Sequence, residues 1–272
     1  MLKECLENVR EKSPLIHNIT NYVTANDVAN ILLACGGSAV MADAPEEAEE
    51  ITSLAAGLCI NLGTLNRDKL SAMLLAGKKA NSLSKAVVLD PVGAGSSKFR
   101  TESAKKLLSE VKFSAIRGNI SEIKTLLGDK GGTMGVDASL SDMHTDLKDI
   151  ASEASALSKS TGAVVVISGK SDVISDGEKI GIVNNGCPIM SKITGSGCML
   201  TALTAAFTAA NKENTFEAAL SAAVLMGVCG EYAFENIKKY GGGNAAFRNH
   251  LIDAVFNMDG ITLERRADYE IY

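Results

Sequence analysis

Tryptophan is absent from this 272-residue chain, and histidine and proline are scarce, at three and four residues. With so few prolines and no Pro- or Ser-rich stretch, there is no linker at which to divide the chain. Length at about 150 residues per domain gives one to two domains. The unbroken pattern favours one, spanning residues 1–272. The six cysteines (Cys5, Cys35, Cys59, Cys187, Cys198, Cys229) never form C-x-x-C. With so few histidines, this removes zinc sites of the usual ligand spacing. Most of these cysteines sit in apolar runs, as free thiols of a reducing compartment do, so the expected location is cytoplasmic.

A basic excess is missing too. Lys and Arg total 27 against 32 Asp and Glu, a formal net charge of −5. Neither nucleic acid nor an anionic membrane is therefore expected as a partner. Apolar runs are broken by charge before the ~18 residues of a membrane span. The start, Met1-Leu2-Lys3-Glu4-Cys5, is charged and does not read as a signal peptide. Two nucleotide motifs are lacking as well. Gly169-Lys170-Ser171 has no upstream glycine to make a P-loop. Gly93-Ala94-Gly95 and Gly195-Ser196-Gly197 each lack the third glycine of G-x-G-x-x-G.

What is present is alternation. Apolar runs of strand length at 15–19, 38–41, 58–62, 86–89, 114–116 and 163–167 are separated by segments of helical periodicity. A hairpin is expected at 172–184, turning at Asp176-Gly177-Glu178. Helices are expected at 199–210, 215–238 and 245–256, a surface loop at 128–141, and the tail from 261 carries no assignment. Such alternation predicts an α/β fold, a central mostly parallel sheet with helices on both faces.

Ligands of open parallel sheets bind beyond the carboxyl ends of the strands. Polar residues and glycines collect there: Asn61 and Gly63, Asp90, Arg117 and Asn119, Ser168 and Gly169. Asp90, before Pro91, is either a turn aspartate or a ligand for hydrated Mg²⁺. Glu122 is three residues after Asn119, the capping-box spacing, and is either a cap or a partner for the same ion. Arg117 is either an ordinary ion-pair residue or a fork for a phosphate. Met41 reads as core filling or as an apolar contact for a small heterocycle. His17, Asn18 and Asn21 lie near the end of the first strand, within reach of a substrate or in structural roles.

The segment Thr194-Gly195-Ser196-Gly197-Cys198-Met199-Leu200-Thr201 follows an extended-looking stretch ending at Ile193 and opens an apolar helix. The first N–H groups of a helix have no partner within it, and with the helix dipole they favour an anion. Cys198 stands at the mouth of that hole, where a thiolate is favoured. The bland alternative is a glycine turn before a core helix.

Taken in order, Leu89-Asp90-Pro91-Val92-Gly93-Ala94-Gly95, Ile116-Arg117-Gly118-Asn119-Ile120-Ser121-Glu122 and Thr194-Gly195-Ser196-Gly197-Cys198 resemble the hydroxyethylthiazole kinase family. His17-Asn18-Ile19-Thr20-Asn21 and Val40-Met41-Ala42 fit the same family. The resemblance implies a ribokinase-like fold and ATP-dependent phosphorylation of the hydroxyl of 4-methyl-5-(2-hydroxyethyl)thiazole in thiamine salvage. It implies that Met41 and Gly195 contact the thiazole. Arg117 and Ser168, with the backbone at Gly197, would contact ATP. Asp90 and Glu122 would organise Mg²⁺, and Cys198 would face the hydroxyl, where most ribokinase-like kinases carry an aspartate. A homotrimer is implied, with sites near subunit boundaries. Ser168 stands where threonine is frequent and keeps the hydroxyl. Ser196 stands where alanine or threonine is usual. The rival readings are a kinase of another small alcohol, such as a hydroxymethylpyrimidine, a ribokinase-like dehydratase acting on hydrated NAD(P)H, and a nucleotide-binding module without catalysis, against which Asp90, Glu122 and Cys198 together count.

Overall fold

A computed structural model describes residues 1–128 and 146–272 of the chain. Its strands are β1 (Leu15–Ile19), β2 (Ser38–Met41), β3 (Gly57–Asn61), β4 (Ala86–Asp90), β5 (Ala115–Gly118), β6 (Val164–Ile167), β7 (Asp172–Ser175), β8 (Ile180–Val183) and β9 (Tyr269–Ile271). They form one sheet in the order β2-β1-β3-β4-β5-β6-β7-β8-β9. From β2 to β6 every pairing is parallel; β7, β8 and β9 continue antiparallel. The expected mostly parallel sheet is thus present. The unassigned tail supplies the last strand, which pairs with β8 from Gly181 to Val183 and is continued by two bonds between Ile180 and Tyr272.

Helices cover both faces. On one lie α1 (Leu2–Lys12), α2 (Ala25–Cys35), α8 (Ser196–Ala210), α9 (Thr215–Tyr240), α10 (Asn244–Asn257) and α11 (Gly260–Arg266). On the other lie α3 (Ala48–Leu54), α4 (Arg67–Ser82), α5 (Lys98–Glu110), α6 (Ile120–Leu127) and α7 (Leu147–Thr161). Strand residues alternate between the two layers. In β4, Ala86 and Val88 pack on the first, Val87 and Leu89 on the second. Both faces are covered, which is why the strand is an unbroken apolar run.

Two helices are apolar nearly all round because they lie inside the molecule. Every residue of α8 from Met199 to Ala210 is buried, and the helix packs against β1, β3, β4 and β5. α9 is long and apolar enough to cross a membrane, but 83% of its apolar window is buried in this core. Capping residues set the helix starts. Asn66 accepts from the N–H of Lys69, Ser97 from Arg100 and Asp146 from Lys148. The Ser97 cap begins α5 at Lys98.

One expectation is corrected. The segment before residue 194 is not extended: Pro188–Lys192 forms a 3-10 turn with Pro188 in its first position, where a missing N–H costs nothing. The loop expected at 128–141 lies, beyond Gly128, outside the described residues.

Candidate active site

Asn61 and Asp90 are the last residues of β3 and β4 and face each other in register. Asp90 is fully buried. Its Oδ2 accepts from Asn61 Nδ2 and from Thr201 Oγ1, both at 2.8 Å. Its Oδ1 has no hydrogen-bond partner and lies 3.8 Å from Arg117 Nη1. Burial pushes the Asp90 carboxyl above its usual range, opposed first by the Arg117 charge and then by the two donors.

Arg117 reaches this edge from β5. One terminal nitrogen donates to the Ser168 hydroxyl, just past the end of β6. The guanidinium packs against the first turn of α8. A side chain at Gly197 would place a Cβ 2.2 Å from Nη1. Gly195, the residue before the helix, has φ +86, and a Cβ there would meet Thr24 Cγ2 at 2.6 Å. Both glycines are therefore demanded by close approach, and Gly195 also by its left-handed backbone. The N–H groups of Ser196, Gly197 and Cys198 open the helix and have no acceptor within it. Arg117 packs against Gly197 in this same turn, so its charge lies beside the helix start.

Glu122 forms the capping box: the Asn119 side chain accepts from the Glu122 N–H while Glu122 Oε2 accepts from the Asn119 N–H. Its Oε1 accepts from the Gly93 N–H at 2.8 Å, joining α6 to the turn after β4. Burial first, and the Asp90 charge second, push Glu122 up to about 7. Among the described residues no three His, Cys, Asp or Glu side chains converge as a metal cage.

The Cys198 sulfur is partly buried and receives two side-chain amides, Asn61 Nδ2 at 3.2 Å and Asn21 Nδ2 at 3.3 Å. The expectation of a favoured thiolate is corrected here. Burial, then the charge of Asp90, raise the thiol above its ordinary value, and the Thr24 hydroxyl, Arg117 and Asn61 only oppose them. The helix start does not overcome a neighbouring carboxylate in a desolvated position.

Asp90, Arg117, Ser168, Gly195, Gly197 and Cys198 thus form one connected group, and Glu122 borders it. Met41 does not join the hydrogen-bonded cluster. It ends β2 at the same edge of the sheet and is 39% exposed. His17 is structural: Nε2 donates to the Ala42 carbonyl at 2.8 Å and Nδ1 accepts from Thr52 at 2.9 Å. Sequence reasoning missed Thr201, which sits inside an apolar helix, and the bridging geometry of Asn21 and Asn61. It also missed Lys69, a buried lysine on α4 that donates to the Thr20 carbonyl at 2.7 Å, pairs with Asp43 at 3.4 Å and lies over the Tyr22 ring at 3.7 Å. A lysine in the first turn of a helix carries no signal of burial. A surface cavity of about 610 Å³, bordered by Asn185, Glu231, Lys238 and Arg265 among others, contains none of the cluster's residues. The clustered reactive groups, not cavity size, mark the site.

Comparisons with known proteins span nearly the whole chain. A profile of the hydroxyethylthiazole kinase family matches residues 6–260. The hydroxyethylthiazole kinase of Clostridium acetobutylicum is 55% identical over 274 residues, covering 100% of both chains. That of Clostridium tetani is 48% identical, covering 96% of this chain and 94% of its own. Among solved structures, the hydroxyethylthiazole kinase from Pyrococcus horikoshii superposes with a TM-score of 0.88 at 35% identity, covering 100% of this chain and 98% of its own. A pyridoxal kinase from Staphylococcus aureus in complex with ADP reaches a TM-score of 0.64 at 16% identity, covering 95% and 97%, which is similarity of fold. The fold is ribokinase-like.

Proposed function

The chain belongs to the hydroxyethylthiazole kinase family, and from that premise we propose how its residues carry the reaction. The enzyme phosphorylates the hydroxyl of 4-methyl-5-(2-hydroxyethyl)thiazole from ATP, in thiamine salvage. The observation that carries our reading is the contact of the Arg117 guanidinium with the first turn of α8, beside the Cys198 sulfur.

Phosphoryl transfer mostly requires positioning and neutralisation of charge on the moving group. Arg117 supplies a full charge from one side, and the N–H groups of Ser196, Gly197 and Cys198 supply partial charges from the other. Ser168 orients Arg117 and lies where a nucleotide phosphate would meet it. Met41 and Gly195 border the thiazole: Met41 gives an apolar contact, and the lack of a side chain at Gly195 leaves room. Cys198 faces the acceptor hydroxyl. Its raised thiol is neutral near pH 7 and cannot take up a second proton, so it orients the alcohol by hydrogen bonding; the hydroxyl proton leaves late, when a loose transition state has already formed, and passes to an oxygen of the transferred phosphoryl group.

ATP comes with a divalent metal in this family, and we assign Mg²⁺. Asp90 fits it, because its Oδ1 is buried and without a hydrogen-bond partner. Glu122 is close enough for the Asp90 charge to raise its affinity for protons. With only two carboxylates to hold it, the ion would take its other ligands from water and phosphate, the habit of Mg²⁺ rather than of a metal caged by protein. The ion, when bound, offsets the charge of the phosphates.

The chain acts as one catalytic unit over residues 1–272, in the cytoplasm. We assign a homotrimer with its contacts along the β2 edge. Large apolar residues are exposed on the elements there: Tyr22, Val23, Leu33, Met41 and Leu54. Incubation with ATP, Mg²⁺ and hydroxyethylthiazole, read by mass spectrometry, should yield the phosphorylated thiazole. Preferential turnover of a hydroxymethylpyrimidine under the same conditions would refute the substrate.

A further inference from the structure

We infer that Asn21 and Asn61 are a pair of positioning residues. Together they hold the Cys198 sulfur with two fixed N–H donors and tie it to Asp90. The inference rests on the reading that Cys198 faces the acceptor hydroxyl.

Neither amide is free to turn over. Asn61 Oδ1 accepts from the Gly63 N–H at 2.9 Å, which leaves Nδ2 to face Asp90 Oδ2 at 2.8 Å and Cys198 Sγ at 3.2 Å. Asn21 Oδ1 accepts from the Thr24 N–H at 3.0 Å, which leaves its Nδ2 to face Asn61 Oδ1 at 3.1 Å and Cys198 Sγ at 3.3 Å. Flipping Asn61 would set an amide oxygen against the Asp90 carboxylate and two hydrogens against a backbone N–H. Flipping Asn21 would repeat the second fault. A backbone donor therefore fixes each side-chain orientation, and every N–H of the two amides has an acceptor.

The consequence concerns the sulfur. Two donors approach it from the β1 and β3 side, from residues only 5% and 1% exposed. A thiol hydrogen cannot point at an N–H donor, so the S–H of Cys198 is turned away from the asparagines. The direction in which the thiol can donate its hydrogen bond is thereby selected. Gly63 belongs to the same device. A Cβ there would lie 2.7 Å from Asn21 Cβ and 2.9 Å from Asn61 Oδ1, so the close packing of the two amides needs a glycine.

The test is a double-mutant cycle on the full chain, measuring phosphorylated thiazole with ATP and Mg²⁺. Asn21→Ala is the principal variant, because Asn21 contacts the sulfur without contacting Asp90. Asn61→Ala is the second, with thermal unfolding checked for both. Each should lower kcat by roughly ten-fold or more in the native background, with the KM for ATP within about two-fold. In the Cys198→Ala background Asn21→Ala should cost less than about three-fold, because residues acting through one partner are not additive, whereas Asn61→Ala keeps the further cost of its lost bond to Asp90. If Cys198→Ala lowers kcat but Asn21→Ala costs the same in both backgrounds, the inference is overturned and the assignment of Cys198 stands. Native kcat in Asn21→Ala would also overturn it. Native kcat in Cys198→Ala alone would remove the assignment and the inference together.

Discussion

Adding one methyl group at Gly197 should separate stability from catalysis. In the structure a Cβ at this position would fall 2.2 Å from Arg117 Nη1 and 2.7 Å from Cζ, where ordinary contact begins at 3.4 Å. The guanidinium would have to retreat by about 1.2 Å. It is the far end of a flexible side chain and can do so, but not while keeping its bond to Ser168 and its place 3.8 Å from Asp90. Displacement of a charge-neutralising group by about 1 Å costs on the order of 10²-fold in rate. Alanine is also a better helix former than glycine, by up to about 1 kcal/mol in a helix interior. Gly197→Ala should therefore unfold within a few degrees of the native protein. Its kcat/KM for ATP should fall about 10²-fold, while the KM for the thiazole changes little. Steady-state kinetics at varied ATP and a thermal melt decide the matter. Native kinetics would refute the reasoning, since Arg117 could not then occupy this position in the working enzyme. A large fall in melting temperature would refute it differently, by showing that the backbone of α8 had moved instead.

Cys198→Ala should lower kcat by roughly 10²-fold, the scale for losing a group that positions the reacting alcohol, while the KM for ATP stays near native; steady-state rates check this. Glu122, pushed up to about 7, binds its proton more tightly folded than unfolded. Its contribution to stability is thus full below the ordinary carboxylate range and is lost as pH rises through about 7. Melts of the metal-free protein should show Glu122→Gln reducing the fall in stability over that window. Magnesium should stabilise the native protein more at pH 8 than at pH 6. Lys69→Met removes a buried charged donor to the Thr20 carbonyl and should cost about 1.5–3 kcal/mol in denaturant unfolding. Asp43, at 46% exposed, can be resolvated and adds little to that loss.

Much of the fold was legible because burial on both faces leaves a plain mark on a strand. Val164, Val165, Val166 and Ile167 are apolar in succession, and they form β6 between two helical layers. What escaped depends on partners far away in sequence. The strand Tyr269–Ile271 has no apolar run of its own and exists because β8 offers an open edge. The 3-10 turn at Pro188–Lys192 looked extended because a five-residue segment has too little period to distinguish the two.

The site divides along the same line. Asp90, Arg117, Asn119 and Ser168 were readable, since a polar residue ending an apolar strand has only the carboxyl edge of the sheet to occupy. The state of Cys198 was not. Its place before the apolar face of α8 suggested a lowered thiol, because a helix start is visible in sequence. The opposing effect comes from Asp90, 108 positions earlier by the numbering, and enters only when β4 is laid beside α8. Asn61 mediates that meeting: one amide nitrogen touches both the carboxylate and the sulfur. The environment therefore keeps this sulfur protonated at rest. A group held neutral beside a buried carboxylate can sit close to an incoming alcohol without adding a second negative charge to a site that must also admit ATP. The site's charge is spent instead on Arg117 and the open end of α8, which is where the phosphates would lie.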